Sequence, residues 1–540
     1  RYSKGFRLFT GVLGFFAGIL NFGIIPAVGA RCLAYFWGFP EFVHPFGPGH
    51  PVPTYVLLMG GFLSLSLFVS LSGGLVAVIV VNCIEGICAQ VFYVVIIAAL
   101  LRTFGWHEVA SVLGDRPPGQ SLVNPFDSGS VKDFNLGYVL MSLAVGVYGT
   151  MAWQNAAGYQ GAALTPHEAR MGAVLGRWRT MGLAAVSILL GVCAMTYLAH
   201  PDFAAGAASV NAEVGKISDP KVQDQMRMTI SVSHLLPEGA RGLLCAVLLM
   251  GIFGGDATHL HSWGSIFVQD VLVPLRRKPF GPRQHLLALR CAIAGVAFFA
   301  FLFGALYRQV DYVFMWWAVT VAIYVGGVGA AILGGLYWKK GTTQGAWAAL
   351  VSGASLSVGG IVARQLDPAF PLNGIQISFA ATCVALSLYV GVSLLTCRED
   401  FNMDRLLHRG AYARKDAAAG KEPFRGSWLA RLAGIDRDFS RADRWIAGLL
   451  LAWTLGLAGV FVVGTFWNWL SPWPRPAWLA FWRVVGLGFP IFFACATGIW
   501  FTWGGVRGIS RFLRRLREER INHLDDGTVK DHQNLDERAG

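Results

Sequence analysis

The sequence predicts an all-α polytopic membrane protein with about twelve transmembrane helices, and three observations predict it. Charged residues make up 14% and hydrophobic residues 54% of the 540-residue chain, whose mean hydropathy is +0.51. A soluble domain averages about 25% charged residues. Apolar runs of about 20 residues, long enough to cross a bilayer, recur through most of the chain. The basic residues between those runs fall mainly on alternate connections, as the positive-inside bias requires.

Twelve spans are expected, at roughly 8–31, 55–72, 75–101, 135–160, 178–199, 239–269, 285–306, 312–337, 344–363, 374–396, 445–470 and 479–506. The first follows a basic turn, "RYSKGFRLF". The boundaries inside 55–101 and 312–363 rest on glycines and short charged turns. With the first span starting inside, the inside connections hold 31 of the 44 Lys and Arg and the outside ones nine. Both ends of the chain are therefore expected in the cytoplasm, with the body integral to the plasma (inner) membrane. The net charge of +13 reports topology, and no nucleic acid is implied. Membrane lipid is the expected surrounding, and orientation accounts for the basic stretch "RFLRRLREER". The nine cysteines are scattered without a CxxC, which reads as small reduced apolar residues.

Residues 1–396 form one integral core, 397–444 a charged cytoplasmic linker with short amphipathic helices, 445–506 two further spans, and 507–540 a basic helix with a polar tail. The outside loops 102–134 and 200–238 are expected to carry short surface helices. "TPHEAR" reads as a capped helix start with Thr165 at the N-cap and Glu168 at N3.

The stretch "MGIFGGDATHLHSWGSIFVQD", residues 250–270, puts polar groups where the composition says lipid. At 100° per residue, Gly251, Gly254, Gly255, Thr258, Ser262 and Ser265 share one face, with His261 at its edge. Small residues let membrane helices approach closely; a small polar face can also line a solute or ion path. Asp256, His259 and His261 favour the path, because polar groups at membrane depth are costly and tend to mark function. Asp256 lies off the stripe with His259 at i+3, within side-chain reach. That pair reads either as a structural lock or as a proton-sensitive couple.

Two further stretches are diagnostic. "GGVGAAILGGLYWKKGTTQGAWAALVSG", residues 326–353, is a hairpin with Tyr337 and Trp338 at the interface and Lys339 and Lys340 fixing orientation. "LSGGLVAVIVVNCIEG", residues 71–86, turns at Gly73-Gly74 and carries Asn82 and Glu85 about two turns into the next helix.

In this order and spacing the three stretches resemble the sodium/solute symporter family. Gly73-Gly74-Leu75-Val76-Ala77-Val78 matches its Gly-Gly-Leu-x-Ala-Val segment. Val81, Asn82 and Glu85 stand at its Thr-Asp-x-x-Gln. Gly335 to Lys340 and Gly345-Ala346 match its hairpin, and "LHSWGSIFVQDV" matches a helix ending near Asp270. The resemblance spans about residues 1–396. It implies a leucine-transporter-type fold of two five-helix inverted repeats with solute bound at midplane. It also implies a chain starting at the third core helix, with the first ahead of Arg1.

The sequence departs from the family pattern at Gly254-Gly255, where a hydroxyl pair helps bind sodium. Glycine offers no side-chain oxygen, and a hard cation needs oxygen ligands. The ion-site region is thus Gly251, Gly254, Gly255 and Thr258, with Asp256, His259 and His261 as coupling candidates. Substrate-path candidates are Tyr148, Trp153, Gln154 and Asn155, with Trp316, Trp317 and Tyr324 as gates. The expected function is secondary active transport of a small organic solute with no cofactor, Na+ or H+ being the coupling ion. Alternatives are proton-coupled or uncoupled transport, or a transporter-derived solute sensor. No nucleophile–base constellation or metal cluster points to an enzyme.

Overall fold

The computed structural model describes residues 1–45, 47, 49–150, 152–155, 157–276, 280–307, 312–407, 410–412, 427–518, 529–530 and 533–534. Helices dominate it. In chain order they are α1 (Lys4–Gly23), α2 (Ile25–Phe36), α3 (Thr54–Thr103), α4 (Trp106–Gly114), α5 (Leu136–Gly149), α6 (Ala157–Gly161), α7 (Pro166–Ala199), α8 (Ala204–Val214), α9 (Pro220–Leu235) and α10 (Glu238–Ile266). There follow α11 (Pro282–Leu306), α12 (Val313–Tyr337), α13 (Thr343–Leu366), α14 (Gly374–Thr396), α15 (Arg441–Leu470), α16 (Arg475–Phe481) and α17 (Phe489–Glu518). Two-residue strands pair 42–43 with 52–53 and 529–530 with 533–534.

Local chemistry fixes many of the starts. Ser3, Asn135, Thr165, Thr342, Asn373 and Ser440 each accept a hydrogen bond from a backbone N–H in the first turn, which satisfies one of the donors a helix leaves free there. Asn373 and Ser440 complete reciprocal capping boxes with Gln376 and Asp443.

Ten helical stretches among the described residues are long and apolar enough to span a membrane, against twelve expected. Two causes account for the difference. The spans at 55–72 and 75–101 form the single 50-residue α3, interrupted where Gly74 takes φ 55°, ψ −149°, a region that favours glycine. Unbroken, α3 would reach about 75 Å at 1.5 Å per residue, far beyond a hydrocarbon core of ~30 Å. Instead it folds back. Ser66 and Ser70 reach the carbonyls of Phe253 and Ala257, while beyond the break Asn82 reaches Thr258 and Glu85 lies by Gly254. Contacts thus run up α10 along one arm and down it along the other.

The second cause is a correction. The continuous span expected at 135–160 is broken: α5 ends at Gly149, Trp153 to Asn155 are non-helical, and α6 starts at Ala157. Side-chain amides compete with the backbone here. Gln154 donates to the Ala152 carbonyl (3.4 Å), a local alternative that weakens a helix, and Asn155 meets His259 of α10, far along the chain. Such a break is tolerated at membrane depth only where protein or a cavity surrounds it. A smaller correction concerns 507–540, where the basic residues continue α17 to Glu518 rather than form a separate helix. The linker shows short helices at Met403–Leu406 and Trp428–Leu432; its residues 408–409 and 413–426, and most of the tail, lie outside the described residues.

Three apolar clusters organise the body. One joins the second arm of α3, α7, α9 and the start of α10. A second joins α1, α12, α13 and α14. A third joins α1, α2, the first arm of α3, the end of α10 and α11. Helix α10 contributes to two of the three, which places its polar middle at the centre of the bundle.

Candidate functional site

The polar middle of α10 is built by three neighbours. From α3, Asn82 donates to the Thr258 hydroxyl at 2.8 Å, and Thr258 donates to the Gly254 carbonyl at 2.7 Å. A Cβ placed on Gly254 would stand 2.5 Å from Asn82 Oδ1 and 3.4 Å from Glu85 Oε2. Glycine at 254 therefore lets an amide and a carboxylate oxygen approach the helix backbone. Glu85 is held on its other side by Arg179 of α7, at 4.0 Å.

From the break between α5 and α6, Asn155 reaches His259. The His259 ring donates from Nδ1 to the Gly255 carbonyl (2.8 Å), so Nε2 is the acceptor of the neutral ring, 3.4 Å from Asn155 Nδ2. From α1, Phe22 stacks on the imidazole at 4.9 Å with the planes 5° apart. The Tyr159 hydroxyl of α6 is buried near Thr258 and Ser262 but meets hydrogen-bond geometry with neither. Asn155 Oδ1, Tyr159 Oη and Asp256 Oδ2 are all buried and unpartnered. Buried polar atoms are normally hydrogen-bonded, so Asn155 and Tyr159 at the break each keep an oxygen free to meet a further group. Gly251 and Gly255, by contrast, face open space within 4 Å of the position a Cβ would take.

The expected Asp256–His259 couple does not form. Asp256 is 2% exposed with Oδ2 unpartnered, and both nitrogens of His259 are engaged elsewhere. The reason is the backbone acceptor: Gly255, four residues back on the same face, lies closer to the ring than a carboxylate three residues back. His261 is buried with no hydrogen bond among the described residues.

Below this region a small cavity of about 20 Å³ is lined by Thr10, Gly14, Trp153, Gln154, Asp270 and Tyr324. That is room for about one water molecule. Trp153 packs edge-on against Trp263 at 5.3 Å, and Gly11 brings α1 against the Asp270 backbone. The structure thus gathers Trp153, Gln154 and Tyr324, and separately Asn155, His259, Thr258, Asn82 and Glu85. It leaves three of the aromatics in packing positions. Tyr148 donates to the Gly326 carbonyl (2.8 Å) and lies against Gly329. Trp316 donates to the Leu20 carbonyl (3.2 Å) beneath Tyr307, and Trp317 stands edge-on to Phe314 at the surface.

At the break in α3, Gly73 packs on Ala77; at the hairpin between α12 and α13, Lys339 is ion-paired with Asp400 and Trp338 meets Tyr389 at 5.9 Å. Lys340 is exposed. Sequence reasoning missed Phe22, Tyr159 and Arg179. Tyr159 and Arg179 carried a readable signal, a hydroxyl within the broken span and a cation just inside the span expected at 178–199; Phe22 carried none, being one phenylalanine among many.

Residues 51–353 match the Sodium:solute symporter family. A sodium/glucose cotransporter of Vibrio parahaemolyticus is 24% identical over 305 residues, covering 54% of each chain. A sodium/mannose cotransporter of Bos taurus is 28% identical over 183 residues, covering 31% of this chain and 30% of that one. The alignments thus span about half, and less than a third, of those relatives' lengths. A solved structure of a Na+-coupled sialic acid symporter is similar at 15% identity and TM-score 0.49, over 73% of this chain and 75% of that one.

Proposed function

The chain belongs to the sodium:solute symporter family, and from that premise we propose that it acts as a secondary active transporter. It would move a small polar organic solute by alternating access in a leucine-transporter-type bundle, with sodium as the coupling ion and both chain ends cytoplasmic. The observation that carries the sodium reading is the oxygen set around Gly254. Asn82 Oδ1, Glu85 Oε2, the Thr258 hydroxyl and the Gly254 carbonyl converge there, and a hard cation takes carboxylate, amide and carbonyl oxygens. Oxygens lost with the two glycines are offset by oxygens arriving from α3. The solute reading rests on Asn155 and Tyr159, which hold unpaired polar atoms beside the open face of Gly251 and Gly255. Hexoses are the first solutes to try, since two relatives are named for glucose and mannose.

A second reading, proton coupling, is favoured by one observation: the unpartnered buried carboxylate of Asp256. Uptake of labelled glucose and mannose into proteoliposomes of the full-length protein separates the two. Sodium coupling predicts accumulation under an inward sodium gradient with the proton gradient collapsed, undiminished in Asp256→Asn and lost in Asn82→Ala. Accumulation that follows an imposed proton gradient alone, and stops in Asp256→Asn, would establish the second reading instead. Solute binding without flux under either gradient would point to a sensor.

A further inference from the structure

Far from the site just described, Arg483 sits inside the last membrane-crossing stretch, on a π-helical turn formed by Trp482–Gly488 between α16 and α17. Turns of this kind inside α-helices recur at functional positions. Arg483 lies eight residues beyond the start of α16, about 12 Å along the helix axis, below a group of tryptophans (Trp473, Trp478 and Trp482) of the kind that marks a membrane interface. Its side chain is exposed and has neither an ion pair nor a hydrogen bond among the described residues. The guanidinium lies over the indole of Trp106, 5.9 Å from the ring centroid. Glu108, one turn along α4, folds back toward Gly105 and makes no ion pair with it. An arginine facing hydrocarbon without an anion is costly.

The surroundings supply the rest of a site. Arg483, Trp106 and Gly488 together line an open groove of about 920 Å³, walled by Phe489 and Phe492, and a narrower cleft of about 240 Å³ running toward Val109 and Leu189. The larger volume falls in the range of ligand clefts, ~300–1,000 Å³. The groove is apolar except at its one cation, so its chemistry is complementary to a molecule with a single anionic head and long hydrocarbon tails.

We propose that this groove is a phospholipid site in which Arg483 and the edge of Trp106 hold the phosphate and the apolar walls take the acyl chains. The occupant is a bilayer phospholipid rather than free phosphate, because the walls offer a small anion nothing but the guanidinium. The site clamps α4, and through it the end of α3, against α16 and α17, so an occupied groove stiffens the contact between the core and the last two spans.

The test is thermal unfolding of the full-length protein in detergent with added dioleoyl-phosphatidylglycerol, dioleoylglycerol or inorganic phosphate. The phospholipid is expected to raise Tm, with little effect from the other two. Arg483→Ala should unfold like wild type without lipid and lose the phospholipid-induced rise; Arg483→Lys should keep part of it. Should Arg483→Ala fail to fold, Gly488→Leu, which fills the groove and keeps the cation, must lose the rise as well. An equal rise in wild type and in either altered protein would overturn the proposal, as would an equal rise with dioleoylglycerol, or with phosphate alone.

Discussion

Helices α10 and α12 are both rich in glycine, and their glycines meet different surroundings. In α12 a Cβ on Gly327 would press on the backbone of Leu350 and Ala349, one on Gly329 would enter the ring of Tyr148, and one on Gly334 would enter that of Tyr389. In the middle of α10, Gly251 and Gly255 would meet nothing within 4 Å, and the two atoms nearest a Cβ on Gly254 would be side-chain oxygens. Most of the α12 span is buried against its neighbours, while a third of the α10 span is. One set of glycines permits close packing; the other leaves room. Even within α10 the division holds, for Gly264 is pressed against Ile293. A small-residue stripe on a helical wheel therefore merges two roles that only the facing residues separate.

The same contrast runs through the polar groups. At the C-terminal end of α12 the Arg1 guanidinium donates to the carbonyls of Trp338 (2.7 Å), Gly341 (2.9 Å) and Gly334 (3.0 Å), capping carbonyls the helix end leaves free. Tyr2 donates to the Ala331 carbonyl and meets Tyr389. Around α10, unpaired oxygens remain on Asn155, Tyr159 and Asp256. The contrast is one of kind rather than of number: Arg1 Nε and the hydroxyls of Ser357, Ser378 and Thr382 near α12 are unpaired too, but around α10 the unpaired groups include a carboxylate.

The sharpest way to break this comparison is Gly327→Ala. Its methyl meets backbone that cannot swing aside, and overpacking of this kind costs about 1–3 kcal/mol; a wild-type Tm would refute the packing role. Arg1→Ala should come next, uncapping α12 at about 1–2 kcal/mol after allowance for its partial exposure, read as a fall in Tm with transport preserved per folded molecule. Asn155→Ala should lose only about 1 kcal/mol of stability yet lower uptake at least tenfold, roughly 1.4 kcal/mol in the transport step; equal losses in the two would make Asn155 a packing residue. Gly255→Ser should fold as wild type and lower the sodium concentration needed for half-maximal uptake, since it adds a hydroxyl to open space beside Thr258. An insoluble Gly255→Ser protein would show that the space is not open.

The smallest effect belongs to the Lys339–Asp400 pair at the surface. The Asp400 hydrogen bond and charge hold the Lys339 ammonium above its ordinary range. A raised lysine contributes stability in full below its unfolded value and loses it as pH rises through the folded one, so the contribution is complete and constant near neutrality, and the exposure of both side chains keeps it negligible there. Lys339→Ala should melt with wild type at pH 7, and a clear drop there would give the pair a role that its exposure denies.

Several features were legible from the residues in order. The turn at Gly73-Gly74, the cap at Thr165 and the hairpin through Lys339-Lys340 depend on neighbours within a few positions, and each stands where the local pattern puts it. The break after Gly149 was not legible, because an apolar run through 135–160 reads as one span, and the interruption depends on Asn155 finding His259 more than a hundred residues away. Nor was the fate of the Asp256–His259 spacing, which a wheel permits and a nearer carbonyl forestalls.

By itself the sequence determined that this chain is helical, crosses a membrane many times and carries costly polar groups in its α10 segment. Those conclusions follow from transfer free energies and helical period, which are properties of a segment and its solvent. Which glycines are crowded and which face space, which oxygens converge on Gly254, and which arginine lies in an apolar groove were decided only by tertiary structure. The physical reason is that a glycine or a lone polar atom carries no information about what stands opposite it. That depends on helices α1, α3, α6 and α7, brought to α10 from far along the chain by the folding of the whole bundle.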